Sequence, residues 1–310
     1  MRRAIGVAMA LSWGVAACGG GDSTDSAEDA AGVSLHSGQV AFVSDREGNF
    51  DIFLLDRASD SVTNLTDHPA MDYGFSWSPD GASMAFASDR DGNREIYRLD
   101  LATGAIARLT DHEARDGAPG WSPDGGRIAF ISQRDSDSGE IYVMDADGTN
   151  LQRLTDNARY EEVPSWSPDG STLAFGALAS AREGADETLQ IFTIDVATGV
   201  ESQITFLDGH NSAPRWAPDG GRIYFYGQVG EDFAGADILS IAPDGSGLTN
   251  LTNDADPDWQ PDPGPDGDYL VYARGPGDPL DLWIMRSDGS DPQPLLTYPG
   301  RDEQPQWRPR

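Results

Sequence analysis

The stretch Trp77-Ser-Pro-Asp-Gly81 recurs at Trp121–Gly125 and at Trp166–Gly170, and no other feature of the chain narrows its possible folds as much. Looser copies follow at Trp216-Ala-Pro-Asp-Gly220, at Trp259-Gln-Pro-Asp262 with a second Pro265-Asp-Gly267 close behind, and at Trp307-Arg-Pro309. Successive tryptophans lie 44, 45, 50, 43 and 48 residues apart. That period fits an array of four-stranded units.

Within one repeat the proline presets φ for a turn, the aspartate bonds its own backbone, and the glycine takes positive φ at no steric cost. A short apolar run follows, Ser83–Ala87, Arg127–Ile131, Thr172–Phe175 or Arg222–Tyr226, which reads as a strand buried on both faces. A polar loop such as Asp45–Asn49 or Asp89–Asn93 leads to a third strand, Glu95–Leu99 or Glu140–Met144. Ala102-Thr-Gly104, Ala146-Asp-Gly148 and their counterparts then make a hairpin turn, and the fourth strand closes on Leu-Thr at Leu65, Leu109, Leu154 and Leu251.

A four-stranded sheet that is apolar on both faces needs a neighbour on each side, and a closed ring leaves no end sheets to aggregate. Six second strands begin near Val40, Met84, Ile128, Leu173, Ile223 and Tyr269, against six tryptophan strands at Trp77, Trp121, Trp166, Trp216, Trp259 and Trp307. The two sets pair only if the last tryptophan strand completes the first blade. The expected fold is therefore all-β: a six-bladed β-propeller of four-stranded antiparallel blades over residues 39–310, closed by pairing of the C-terminal strand with the N-terminal blade.

Ahead of it, residues 1–17 carry Arg2-Arg3, an apolar run and the small residues Val15-Ala16-Ala17 before Cys18. This is the pattern of a signal peptide, with a core too short to span a bilayer permanently. The small-small-Cys ending resembles the lipobox of bacterial lipoproteins, which implies lipidation of Cys18. Gly19 after it implies, by the same resemblance, the outer membrane. Cys18 is the sole cysteine, so no intramolecular disulfide exists. Residues 18–38, rich in Gly, Ser, Ala and Asp, read as a flexible tether. A formal net charge of −31 disfavours nucleic acid and bare anionic membrane and favours cations or basic protein faces. Contact with the membrane is thus expected only through the lipid, and a closed ring needs no second copy, so a monomer is expected.

The order Trp-Ser-Pro-Asp-Gly, Ile128-Ala-Phe130, Ser88-Asp-Arg-Asp-Gly-Asn93, Ile96-Tyr97 and Leu109-Thr-Asp111 is similar to the propeller repeat of the TolB family. The resemblance runs over nearly all of 39–307. It implies a periplasmic, protein-binding propeller of the Tol–Pal envelope system, whose channel mouth receives the peptidoglycan-associated lipoprotein. The same repeat occurs in oligogalacturonate lyases, which makes a metal-dependent polysaccharide lyase the alternative function.

Five residues before each tryptophan stand Asp72, Asp116, Glu161, Asn211, Asp254 and Asp302. The loop entering an innermost strand lies at the channel rim, so these positions are expected to form an acidic collar that contacts a partner. Crowded carboxylates raise one another's pKa or recruit a counter-charge, either calcium or a basic side chain of the partner. His68 and His112 follow Leu-Thr-Asp at matching places, with His210 in a later loop; a lyase would use them with a metal, whereas repeat geometry alone also aligns them. The tryptophans are expected to wedge between blades, and Asp45-Arg46 and Asp89-Arg90 to form salt bridges within their loops. There is no Gly-x-Ser-x-Gly elbow for a hydrolase, and His112-Glu-Ala-Arg-Asp116 lacks the second histidine of a zinc protease.

Overall fold

Six four-stranded antiparallel sheets follow one another along the chain. In a computed structural model of the protein the described residues are 38–157, 159–180, 186–228, 235–253, 255–277 and 279–310. The expected signal peptide, the tether up to residue 37, Cys18 and Asp254 lie outside them. Among the described residues there is no helix, and so none long and apolar enough to cross a membrane.

The second to sixth blades each run outward from an innermost strand: Asp72–Trp77, Asp116–Trp121, Glu161–Trp166, Asn211–Trp216 and Asp258–Pro263. The first blade is completed from the far end of the sequence. Its innermost strand is Asp302–Trp307, laid antiparallel on Gln39–Ser44 with Val40 opposite Trp307 and Ser44 opposite Asp302. The ring is sealed by the pairing that the strand count demands.

Packing follows the same circle. Ala41, Val43 and Ile52 of the first blade meet Phe75, Met84 and Phe86 of the second, Ala85 and Ile96 of the second meet Ile128 and Phe130 of the third, and Ala129 and Ile141 of the third meet Trp166 and Phe175 of the fourth. The sequence continues through the fifth and sixth blades and returns to the first, where Leu282 packs on Phe42 and Phe53, and Val271 on Val40. Each core is shared by two sheets, which is why no blade is stable alone.

The repeated turn works as its composition requires. Asp80 Oδ1 accepts from Ser78 Oγ at 2.6 Å and from Ala82 N–H at 3.0 Å, and Asp124 and Asp169 repeat the arrangement. These bonds hold all three carboxyls below the ordinary range, Asp169 down to about 2. Gly81 has φ of 62°, and a Cβ there would sit 2.8 Å from the Pro309 carbonyl, so glycine serves both the turn and the seal.

The sixth blade departs from the expected frame. Its innermost strand starts at Asp258 and ends at Pro263, followed by the Pro265-Asp-Gly267 turn. Pro263, not Trp259, stands where the other five blades have tryptophan. The residue at the start of that strand is accordingly Asp258, not Asp254.

Candidate functional site

All six innermost strands share the pattern of an acid or amide at their first position, a bulge at the third, and tryptophan or Pro263 at the sixth. The third residues are Gly74, Ala118, Val163, Ala213, Gln260 and Gln304, with φ between 46° and 53° in every case, and the ladder to the second strand shifts register at each. Five of these left-handed residues are not glycine, and Val163 is β-branched; each carries on the order of 1–3 kcal/mol of strain that the ring must over-determine. Proline follows the bulge in five blades, at Pro119, Pro164, Pro214, Pro261 and Pro305, where the broken ladder makes no call on an amide hydrogen.

The bulges surround the axis. A cavity of about 410 Å³ is lined by the third, fifth and sixth residues of all six strands, joined by Tyr73, Arg94 and the turn prolines Pro218, Pro265 and Pro309. Five tryptophans ring one end of it. They also wedge between blades, as expected: Trp166 Nε1 donates to the Gly120 carbonyl at 2.9 Å and Trp216 Nε1 to that of Ser165 at 3.2 Å. A belt of bonds links the strands within the channel: Gly74 N–H donates to Gln304 Oε1, Gln304 N–H to Gln260 Oε1, Trp121 N–H to Ser76 Oγ and Trp307 N–H to Asp262 Oδ2, each at 2.9 Å. Asp262 also faces Arg215 at 3.5 Å. Burial pushes its carboxyl up to about 6, against the pull of Arg215 and the Trp307 amide.

The acidic collar is not open. Asp72, Asp116, Asp302 and Asp258 have side chains with 0% exposure, and each is held by an arginine: Arg90 at 2.9 Å, Arg134 at 2.8 Å, Arg46 at 2.9 Å and Arg274 at 2.6 Å. Each guanidinium in turn lies over a pair of rings from its own blade, such as Phe86 and Tyr97 for Arg90 or Phe130 and Tyr142 for Arg134. Burial nonetheless raises the Asp72, Asp116 and Asp302 carboxyls above the ordinary range. The expected ring of solvated like charges is therefore a ring of enclosed ion pairs, and none of these first residues lines the cavity. The expected loop salt bridges are corrected with it. Arg46 and Arg90 reach the strand acids rather than Asp45 and Asp89. Among the described residues no group of three or more His, Cys, Asp or Glu side chains is arranged to hold a metal ion.

Among the described residues no arginine pairs with the first residue of the fourth or the fifth blade, and those two residues differ from the other four. Asn211 is neutral, its Nδ2 donating to the Gly209 carbonyl at 2.9 Å. Glu161 is 1% exposed and takes hydrogen bonds from Thr155 Oγ1 at 2.6 Å and Asn157 Nδ2 at 2.7 Å. Arg159 fills the ring slot over Phe192 but pairs with Glu201 instead. Burial, aided by the Glu140 and Glu201 charges, pushes the Glu161 carboxyl up to about 7. A carboxyl raised in the fold stabilises it fully only below its unfolded value, 4.5, and that contribution is lost as pH rises through 7. Replacing Glu161 by Gln should remove this dependence. In urea unfolding the variant is expected to match the wild type near pH 4.5 and to exceed it by on the order of 3 kcal/mol at pH 8; equal stabilities at both pH values would show that the carboxyl is ordinary.

His68 and His112 fasten their own loops, and His210 ties its loop to the strand Glu187–Asp195. Nδ1 of His68 accepts from Ala70 N–H, that of His112 from Ala114 N–H, and that of His210 from Leu189 N–H. Sequence reasoning missed the arginines that close the collar, although Ser44-x-Arg46, Ser88-x-Arg90 and Ser132-x-Arg134 recur in the chain; in each the serine Oγ accepts from the arginine Nε. It also missed the six bulges, whose only trace is the proline that follows five of them.

Comparison with known proteins places this geometry. The model of the TolB β-propeller domain family matches residues 28–116 and 100–310. Among solved structures, TolB from Acinetobacter baumannii superimposes with a TM-score of 0.74 at 24% identity, over 89% of this chain and 67% of that one. A candidate TolB from Agrobacterium tumefaciens gives 0.68 at 25% identity, over 86% of this chain and 91% of the other. An oligogalacturonate lyase in complex with manganese gives 0.59 at 17% identity, a likeness of fold alone. An uncharacterized protein of Agrobacterium fabrum is 30% identical over 136 residues, which are 40% of this chain and 45% of that relative's length.

Proposed function

Since the chain belongs to the TolB β-propeller domain family, we propose that it is a binding module of the bacterial envelope, without enzymatic activity, that takes a segment of a partner protein into the tryptophan-ringed end of its channel. The observation that carries this reading is the axial cavity itself: bulges from all six blades, five of them strained, converge on one space of about 410 Å³. Strain maintained at five of six equivalent places marks a site rather than a packing accident. Flat aromatic and proline surfaces are what protein segments bind at low entropic cost. In the same proposal residues 1–17 export the chain, lipidated Cys18 holds it to the outer membrane from the periplasmic side, and a peptidoglycan-associated lipoprotein is a partner of the right kind. The alternative of a metal-dependent lyase has no support beyond fold, because each of its three candidate histidines is engaged with a nearby backbone amide.

Cross-linking in cells tests the reading. A photoreactive residue at Pro218 or Pro265, beside the tryptophans, should yield a discrete protein adduct in the membrane fraction, whereas one at Val200, 63% exposed on an outer hairpin, should not. With Cys18→Ala the adduct should move to the soluble fraction or disappear. Equal labelling from Pro218 and Val200 would remove the channel from consideration.

A further inference from the structure

Resting on that reading, we infer that the segment entering the channel carries a carboxylate, received by the guanidinium of Arg94. In a chain of net charge −31 most of the buried-site arginines described above have acids: Arg46, Arg90, Arg134 and Arg274 hold the strand aspartates, and Arg215 faces Asp262. Arg94 lines the cavity and has no ion-pair partner among the described residues. Of the ionisable groups that act on it, Arg115 is a like charge and the Tyr160 phenol, raised by burial, is neutral at neutral pH. A partly buried guanidinium without a counter-charge is costly, and its fork of donors fits a carboxylate better than any other common ligand group.

Its placement is built rather than incidental. The Arg94 guanidinium lies over the Tyr73 ring, 4.3 Å from its centroid, and its stem crosses Gly117, where a Cβ would come within 3.2 Å of Arg94 Cδ. The residue at the same place in the other blades is Phe50, Gly139, Leu189, Ala236 or Leu280. Only the second blade spends this position on a charge. The rest of the wall offers donors too. Gln260 and Gln304 each use Oε1 to accept a neighbouring backbone N–H, which fixes the flip of both amides and leaves each Nε2 without a protein partner among the described residues. The carboxylate on the wall, Asp262, is already engaged by Arg215 and by the Trp307 amide. Because the outer field is strongly negative, the carboxylate must belong to an otherwise neutral or basic segment.

The test is a titration of the full-length chain, read by tryptophan fluorescence, since five of its eight tryptophans line the cavity. The probes are acetyl-Pro-Pro-Leu as free acid, the same peptide as its C-terminal amide, acetyl-Pro-Glu-Leu amide, and trigalacturonate. The two carboxylate-bearing peptides are expected to bind about tenfold or more tighter than the neutral amide. Arg94→Gln should erase that preference without lowering the thermal midpoint, Arg94→Lys should keep part of it, and Arg222→Gln on the outer surface should keep all of it. Equal binding of acid and amide, a preference that survives Arg94→Gln, or no saturable signal from any probe overturns the inference. Arg94-dependent binding of trigalacturonate alone would keep the carboxylate site and overturn its protein source. Adducts from Pro218 in cells do not depend on a carboxylate, so they can stand while this inference fails.

Discussion

A chain ending at Arg301 is expected to lose its cooperative unfolding transition altogether. The nine residues removed supply the innermost strand of the first blade, and their loss strips Gln39–Ser44 of a whole ladder. It also removes the counter-ion of Arg46, leaving a guanidinium enclosed between Phe42, Phe53 and Tyr298 with nothing to balance it. Both neighbouring blades are released at once: the second loses Gln306 Nε2 on the Phe75 carbonyl and Arg308 Nε on that of Gly81, and the sixth loses the amides of Gln304 and Trp307 on Gln260 and Asp262. A ring fails differently from a linear array, because one missing strand exposes two blade faces and an unpaired edge. Thermal scans should show a broad, featureless melt, and size exclusion should show soluble oligomers joined at the free edge. Gln306→Ala, which cuts a single bond of the seal, should cost only about 1–2 kcal/mol and leave the transition cooperative. A monomeric truncated chain melting within a few degrees of the wild type would mean that the six shared cores hold the ring without its seal.

The architecture was readable because one tight turn is repeated with its chemistry intact. Proline, aspartate and glycine can be recognised without knowing what surrounds them, and a strand count with one strand too few at the beginning and one too many at the end admits a single closure. The sixth blade shows where that reading slips. Trp259 mimics the marker residue, but the bulge pattern of aspartate, two residues and proline, seen in Asp116–Pro119 and Asp302–Pro305, places the strand at Asp258–Pro261. The site was harder to read than the fold. Five acids at equal positions looked like a collar of charge, since a sequence shows which residues are acidic and not what they touch. Their arginines lie about 18 residues downstream in two cases and about 256 away across the seal in the third, with the serine beside them as the local sign. Arg94 carries no periodic signal at all, because its importance comes from being unlike the five residues that share its place.

Replacing Arg134 by Ala is expected to cost about 3–5 kcal/mol at neutral pH, far more than an exposed ion pair would. Asp116 is 0% exposed and Arg134 14%, so the variant leaves a carboxylate enclosed with only neutral donors. Its folded-state pKa, already raised by burial, should then rise further. The sign of the pH effect follows: a carboxyl raised in the fold binds its proton more tightly there than in the unfolded chain. The deficit should therefore shrink as pH falls through the raised value and be smallest near the unfolded value, about 3.8. The fifth blade suggests the cure, since it carries Asn211 at this position, bonded to the Gly209 carbonyl rather than to an arginine. The double variant Arg134→Leu, Asp116→Asn should recover most of the loss, because a neutral amide with an apolar neighbour removes the uncompensated charge rather than rescuing it. Urea unfolding between pH 4 and pH 8 separates the outcomes. A loss below about 1 kcal/mol for the single variant would mean that water reaches Asp116. A double variant as weak as the single one would mean that the guanidinium matters as a slab packed on Phe130 and Tyr142, and that charge balance in the collar is secondary to the stacking which places it.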